Sequence, residues 1–286
     1  MKHRSPKKPP SRLLTESELE SLANRKPATN MVGIPVAVLD ALSAGRIPTK
    51  NLVEWLAADR WYLLKSIVDE LELSHELLDD SFWTPELNKQ GALKKSFAIA
   101  KHLYPHCPVS SDAWRSMLSH KSDIVREWAA LIIGLSEDLS FARKLAWMKT
   151  LADDEHSGTR EIAWLALRHH VAENPQSSIR SLTPWSGSRN ERLRRFASEI
   201  TRPRGVWTSH IQLLKESPEL GIPILEPLLA DDSKYVQNSV GNWLNDASKS
   251  NPQWVQQTTQ RWLACSDSPH TRYIVKRALR TLNKEQ

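Results

Sequence analysis

The residues best suited to chemistry lie in an arginine-rich segment between two tryptophans, residues 185–207. Glu199 lies within it, and Pro203 ends the helix that the preceding residues predict. The arginines around this glutamate are Arg194, Arg195, Arg202 and Arg204. A carboxylate among guanidiniums at a helix end can stabilise positive charge on a ligand or form an internal ion pair, and both interpretations stay open. Trp207 follows, and its indole either stacks on a ligand or packs in the core.

The sequence lacks the usual signatures of metal, phosphate-loop or nucleophile chemistry. It has no Gly-rich phosphate loop, no HExxH and no GxSxG motif. Pro105 separates His102 from His106, and His169 and His170 are adjacent, so neither pair predicts a shared ligand face on a helix. We therefore expect neither a metal nor a cofactor.

The composition indicates a helical protein without a membrane span. The chain has 286 residues, 40% of them hydrophobic and only 9 of them glycine, and no apolar run approaches the roughly 20 residues that cross a bilayer. Cys107 and Cys265 lie far apart, as expected in a reducing cytoplasm. No coiled-coil heptads are present, and we expect a cytoplasmic monomer.

The net charge of +6 comes largely from the N-terminus, because the first twelve residues contain five Lys and Arg and no acid. Two basic clusters remain in the body of the chain, from Arg189 to Arg204 and from Arg272 to Lys284. Such a cluster is either a phosphate-binding ridge or a solvated helix face, and the sequence does not decide between them.

The chain divides into a predicted disordered basic tail (1–13), an N-terminal helical region (14–108) and a repeat region (109–286). Thr15 and Glu18 form a predicted capping box at the first helix. In the repeat region, polar turns precede amphipathic helices that begin near Ser122, Ser157, Ser188, Ser233 and Ser268. Paired helices at this period predict an all-α fold, an α-solenoid of HEAT-like repeats with a concave face suited to an extended ligand, and DNA is such a ligand if the basic clusters bind phosphates.

The arginine-rich segment resembles the AlkC branch of the AlkC/AlkD-like DNA glycosylases, which are HEAT-like repeat enzymes. The resemblance extends over about residues 157–284. Its matching stretches are Arg160-Glu161-Ile162-Ala163; Arg194-Arg195-x-x-Ser198-Glu199-x-x-Arg202-Pro203-Arg204-x-x-Trp207; Tyr235-Val236-x-x-Ser239-Val240-x-Asn242-x-Leu244-Asn245-Asp246-x-x-Lys249; and Ile274-Val275-Lys276-x-Ala278-Leu279-Arg280-Thr281-Leu282.

This resemblance implies a DNA glycosylase that removes cationic alkylated bases, such as 3-methyladenine or 3-methylcytosine, from double-stranded DNA. Glu161, Glu199 and Asp246 correspond to carboxylates that line the active site of the family. Asp246 is expected to orient the attacking water and to stabilise the oxocarbenium ion that forms as the base leaves. The expected DNA contacts are Arg194, Arg195, Arg202, Arg204, Trp207, Lys276, Arg277 and Arg280.

Two alternatives stay open at this point. One is a noncatalytic HEAT-repeat protein that binds distorted or branched DNA, because the residues after Ala163 depart from the family pattern. The other is a helical scaffold for a protein partner, which is a common use of α-solenoids.

Overall fold

The computed structural model describes residues 14–205 and 208–284, and every regular element in this part of the chain is a helix. The predicted all-α fold class is confirmed. The predicted tail (1–13) and Trp207 lie outside the described residues. No described helix is both long enough and apolar enough to cross a membrane. The chain forms two compact units, Met1–Ser136 and Glu137–Gln286.

Unit 1 contains eight α-helices among its described residues. The first begins with the predicted capping box, in which the Thr15 side chain accepts from the Glu18 backbone N–H and the Glu18 side chain accepts from that of Thr15. Trp114 and Trp128 are fully buried in the core. The helices are α1 (Glu16–Ala23), α2 (Val36–Ser43), α3 (Leu52–Ala57), α4 (Arg60–Ile67), α5 (Pro85–Asn88), α6 (Ala92–Leu103), α7 (Asp112–Leu118) and α8 (Asp123–Leu135).

Unit 2 stacks its helices in two layers. The helices that we call the front layer, α10, α12, α15 and α17, pack side by side in chain order, and α9, α11 and α16 cover them from behind. The helices are α9 (Phe141–Ala152), α10 (Ser157–Glu173), α11 (Pro175–Ser186), α12 (Glu191–Ile200), α13 (Gln212–Glu216), α14 (Ile222–Leu225), α15 (Lys234–Ser248), α16 (Pro252–Cys265) and α17 (Pro269–Ala278).

Short polar residues lie at the beginnings of the repeat helices, as predicted. Ser122, Ser233 and Ser268 are the N-cap residues of α8, α15 and α17. The helix expected near Ser188 begins at Glu191, because its N-cap is Asn190, whose side chain accepts a hydrogen bond from the Arg192 backbone N–H.

The predicted helix starts at Ser188 and Ser233 are further apart along the chain than the other neighbouring starts, and the residues between α12 and α15 explain this longer interval. Pro218, Pro223 and Pro227 each remove a backbone donor, so this stretch forms only α13, α14 and the two 3-10 helices Pro218–Gly221 and Glu226–Leu228. A full-length back-layer helix is replaced here by short pieces.

The division between the two units lies after Ser136, whereas the sequence pattern divides the chain after residue 108. The reason is packing, because α8 lies against α6 and α7. The extent of the repeat region from residue 109 onward stays a prediction.

Candidate active site

The three predicted carboxylates lie on three successive helices of the front layer and are joined by two arginines. Arg195 Nη2 lies 2.7 Å from Glu161 Oε1 on α10 and 3.5 Å from Glu199 Oε2 on α12. Arg202 Nη1 lies 2.6 Å from Glu199 Oε1, and its Nη2 lies 2.7 Å from Asp246 Oδ2 on α15. We call these five side chains the carboxylate network.

Helix α12 supplies the centre of the network. Arg195 and Glu199 are four residues apart and therefore lie on one face of the helix. Arg202 follows the helix end, where the fully buried Arg168 of α10 donates hydrogen bonds to the carbonyl oxygens of Ile200 and Arg202. Arg168 thus fixes the backbone from which Arg202 reaches two carboxylates.

Glu199 remains charged although it is buried. Burial would raise its pKa, but Arg195, Arg202 and a 2.7 Å hydrogen bond from Ser239 Oγ outweigh that effect, and the pKa of Glu199 lies below its ordinary value. The carboxylates in turn raise the pKa of both arginines, despite the opposing effect of burial. The centre of the network is therefore a fixed set of full charges.

The three carboxylates differ in access to a ligand. The Glu161 side chain is 43% exposed, whereas those of Glu199 and Asp246 are 7% and 5% exposed. Trp164 Nε1 donates to Glu161 Oε2 at 2.8 Å and orients that carboxylate. Asp246 Oδ2 receives Arg202, while Oδ1 lies 3.5 Å from Lys249 Nζ. Glu161 is thus the carboxylate most accessible to a ligand, and Asp246 Oδ1 is the one oxygen of the two buried carboxylates without an arginine partner in the described part of the chain.

Three of the predicted phosphate contacts are ion-paired inside the protein. Arg195 and Arg202 belong to the carboxylate network, and Arg194 Nε lies 2.6 Å from Asp231 Oδ2. Phosphate contact by these three side chains stays a prediction, but carboxylates already balance their charge. Arg204 donates to the Asp246 carbonyl oxygen and to Ser250 Oγ, so it lies beside Asp246 at the edge of the site.

The C-terminal candidates lie on or just after α17. Lys276 is exposed, and Arg277 and Arg280 are half-buried. Arg277 Nε and Arg280 Nη1 donate to the same atom, Asn242 Oδ1 of α15, at 3.0 and 2.8 Å. The structure therefore brings this pair next to the helix that carries Asp246.

Tyr235 and Ser239 belong to the site, although sequence reasoning assigned no role to them. The Tyr235 ring lies below two guanidinium groups, with Arg160 Cζ at 5.2 Å and Arg195 Cζ at 4.9 Å from its centroid. Both residues precede Asp246 on α15 by helical spacings. The signal that could have revealed them is this single polar face on an otherwise buried helix.

The histidine pairs have no ligand geometry. His102 Nε2 lies 2.9 Å from the Leu77 carbonyl oxygen, and the exposed His169 lies 3.0 Å from Glu173. No group of His, Cys, Asp and Glu side chains within residues 14–205 and 208–284 could hold a metal ion.

Comparison with known sequences identifies a repair family. Residues 160–282 match the family described as DNA alkylation repair enzyme. The uncharacterized protein YhaZ of Bacillus subtilis (strain 168) is 42% identical over 120 residues, which are 42% of this chain and 33% of YhaZ. The chain thus spans about a third of the length of that relative.

Comparison with solved structures shows that the fold is similar to those of AlkC and AlkD2. The alkylpurine DNA glycosylase AlkC of Pseudomonas fluorescens, bound to DNA containing an abasic site analog, matches with a TM-score of 0.62 and 26% identity over 77% of this chain and 62% of AlkC. AlkD2 of Streptococcus mutans matches with a TM-score of 0.53 and 25% identity over 65% of this chain and 88% of AlkD2.

Proposed function

Because the chain belongs to the AlkC/AlkD-like family of DNA alkylation repair proteins, we propose that it is a DNA glycosylase acting on cationic alkylated bases in double-stranded DNA. Its reaction is hydrolysis of the N-glycosidic bond of bases such as 3-methyladenine or 3-methylcytosine. The observation that carries this proposal is the convergence of Glu161, Glu199 and Asp246 in one network.

The chemistry needs negative charge that is fixed in advance. A cationic alkylated base accepts the bonding electron pair and departs neutral, so it needs little help from a general acid. Positive charge then develops on the deoxyribose as an oxocarbenium ion, which carboxylates stabilise strongly in a site with little water. The three carboxylates and two guanidiniums of the network have a formal charge of −1, and Lys249 Nζ, 3.5 Å from Asp246 Oδ1, offsets that charge when no cationic substrate is bound.

We assign a different role to each carboxylate on the basis of its contacts and exposure. Asp246 Oδ1 is free of Arg202 and accepts a proton from the water whose oxygen bonds to the anomeric carbon. Glu161 is the most exposed of the three and faces the positive charge of the sugar or base. Glu199 holds Arg195 and Arg202 in place, which makes it a positioning residue.

The test is the release of free methylated base from alkylated duplex DNA by the wild-type protein and by Asp246→Asn and Glu161→Gln. Each isosteric change removes one charge, and loss of one electrostatic catalytic group costs on the order of 10²–10³ in rate. Both variants should still bind a duplex that contains an abasic-site analog. Glu199→Gln should also lose base release, and its thermal unfolding must be measured because its carboxylate is buried.

A DNA-binding protein without base release is the second candidate. It is favoured by the low exposure of the Glu199 and Asp246 carboxylates, both of which have an arginine partner. Duplex binding by the wild-type protein without release of any methylated base would establish this candidate and contradict the first.

A further inference from the structure

Two arginines in unit 2 converge on a neutral atom instead of a carboxylate. Arg277 Nε and Arg280 Nη1 both donate to Asn242 Oδ1, at 3.0 and 2.8 Å. An amide oxygen carries only a partial charge, so Asn242 does not balance two full positive charges. Within residues 14–205 and 208–284, no carboxylate oxygen lies within 4.0 Å of a nitrogen of either guanidinium.

This arrangement differs from that of three arginines that lie on or just after α12. Arg194, Arg195 and Arg202 each have at least one carboxylate within 3.5 Å. At Arg280, burial and the nearby charge of Arg277 lower the pKa, while the more distant Asp246 opposes the shift. A half-buried pair of like charges is unfavourable in the absence of a ligand, and an anion that binds both groups relieves the repulsion.

Close packing between α15 and α17 builds the pair into the fold. A Cβ atom on Gly241 would lie 2.8–2.9 Å from the Cβ, Cγ and Cδ atoms of Arg277, so the arginine stem occupies the space that this glycine leaves open. Asn242 then fixes the far end of the same side chain. The two guanidiniums are therefore held in place before any ligand binds.

The pair lies next to the candidate active site. Asn242 and Asp246 are four residues apart on α15, which places them on one face at a spacing of about 6 Å. The phosphates of a DNA strand lie directly beside the sugars that they join. An anion on Arg277 and Arg280 would therefore be a phosphate flanking the sugar that meets Asp246.

We propose that Arg277 and Arg280, oriented by Asn242, bind one phosphodiester flanking the damaged nucleotide and so set the register of its sugar against Asp246. The proposal rests on the proposed function and deepens it. Planar guanidiniums match the oxygens of a phosphate and donate charge-assisted hydrogen bonds to them. The bound phosphate takes up the charge of this pair, while the carboxylate network keeps its negative charge for the sugar and base.

The experiment measures binding to a duplex with a central abasic-site analog, so that no chemistry is needed. The variant is Arg277→Gln/Arg280→Gln. Its charge-matched control is Arg180→Gln/Arg261→Gln, whose arginines lie exposed on the back-layer helices α11 and α16. The site variant should bind on the order of tenfold more weakly or worse, and its log–log salt slope should fall by about 0.9, the value for one phosphate. The control should retain the wild-type slope.

A neutral methylphosphonate, placed in turn at each phosphate flanking the abasic analog, locates the contact. At one of the two positions, the methylphosphonate should weaken binding by the wild-type protein by the same factor as the two arginine substitutions do. The site variant should bind this modified duplex no more weakly than it binds the unmodified duplex. The proposal is wrong if neither methylphosphonate weakens binding by the wild-type protein. It is also wrong if the loss of affinity caused by the methylphosphonate and the loss caused by the arginine substitutions add in full. Because this arm uses the wild-type protein, it stays decisive even if the variant folds poorly.

Base release by the wild-type protein, measured separately on alkylated duplex, distinguishes the two ideas. Release together with an unaltered salt slope in the site variant would overturn the phosphate site and leave the glycosylase in place. Methylphosphonate sensitivity without any base release would support the phosphate site while the proposed enzymatic function fails.

Discussion

Each of the two units buries a glutamate near an arginine, and the two carboxylates take opposite charge states. Glu199 of unit 2 contacts two guanidiniums directly and has a lowered pKa. Glu127 of unit 1 is fully buried, and burial together with the neighbouring Asp123 raises its pKa to about 8. At neutral pH the first is a carboxylate and the second is largely a carboxylic acid.

The two glutamates differ in charge state because the arginines near them donate their hydrogen bonds to different acceptors. In unit 1, Arg60 lies over the Trp55 ring and donates to the Ala58 carbonyl oxygen and to Ser96 Oγ. Glu127 accepts its hydrogen bonds from Trp55 Nε1. The attraction of Arg60 therefore reaches Glu127 only through space, and it does not balance the cost of burial.

The comparison teaches that burial alone does not identify a functional carboxylate. Glu127 lies in a core without an ion-pair partner among the described residues, whereas two arginines maintain the charge of the buried Glu199, and one of them also contacts Glu161, which is 43% exposed. A catalytic role needs the second arrangement, since a protonated carboxyl group cannot stabilise an oxocarbenium ion. The predictions below remove the features that separate the two sites.

The largest effect is expected from Arg202→Gln, which removes the shared partner of Glu199 and Asp246. Breaking a buried pair leaves an uncompensated charge, so we expect a loss of about 3–5 kcal/mol in the free energy of unfolding. The pKa of Glu199 should rise, and base release should fall with it. Chemical denaturation and carboxyl NMR titration measure the two changes. Unaltered stability with an unaltered Glu199 titration would show that the ion pairs do not hold the charge.

A smaller loss is expected from Arg168→Gln. The buried guanidinium donates to the Ile200 and Arg202 carbonyl oxygens, and its removal leaves neutral carbonyl groups rather than a charge without a partner, so we expect a total loss of about 1.5–3 kcal/mol. If Arg168 positions Arg202, base release should slow while the affinity for abasic-analog DNA changes little. Arg168→Lys keeps the charge but loses the forked geometry, so it should restore stability better than it restores rate. Equal restoration of both would indicate a purely structural role.

Part of this arrangement could be predicted from the sequence. Polar N-caps and apolar periodicity located α8, α15 and α17, since both signals are local. The three candidate carboxylates were predicted from the resemblance of short stretches of the sequence to the AlkC branch. The stacking of the front-layer helices brings these carboxylates together. The spacing of acids along the chain is therefore informative once the repeat is known.

The partners of those carboxylates could not be predicted. Whether Arg194 meets a phosphate or Asp231, 37 residues away, depends on the packing of α12 against the turn before α15. The same holds for Glu127, whose hydrogen-bond donor lies 72 residues earlier at Trp55. Side-chain pairing across helices is a tertiary property, and composition carries little information about it.

A moderate effect is expected on the pH dependence of stability, with opposite signs in the two units. The ordinary pKa of Glu127 is 4.5 and its folded pKa is about 8, so the stability that it contributes is full below about pH 4.5 and is lost as the pH rises to about 8. The slope is at most about 1.4 kcal/mol per pH unit. Glu199, with a lowered pKa, contributes stability above its ordinary value that is lost as the pH falls below it.

Pulse proteolysis between about pH 4 and 8, with fragments assigned to each unit by mass spectrometry, measures these slopes separately. Glu127→Gln should flatten the profile of unit 1 at neutral pH and cost little stability there, because the wild-type side chain is largely uncharged. A profile of unit 1 that rises with pH would contradict the protonated state of Glu127.

The smallest effect is expected at Arg192, which precedes the less exposed Arg194 on the same helix. Arg192 Nη1 lies 3.3 Å from Asp153 Oδ1, and the two side chains are 32% and 42% exposed. An exposed ion pair is screened by water and salt, so Arg192→Gln should cost less than about 1 kcal/mol and leave base release unchanged. Arg194→Gln removes a partner of Asp231, which is only 3% exposed, and should cost several times more. Denaturation of both variants, at low and at high salt, measures the contrast, because only the Arg192 pair should weaken appreciably with salt. Equal costs would mean that burial does not set the strength of these pairs, and the distinction drawn between Glu127 and Glu199 would then lose its physical basis.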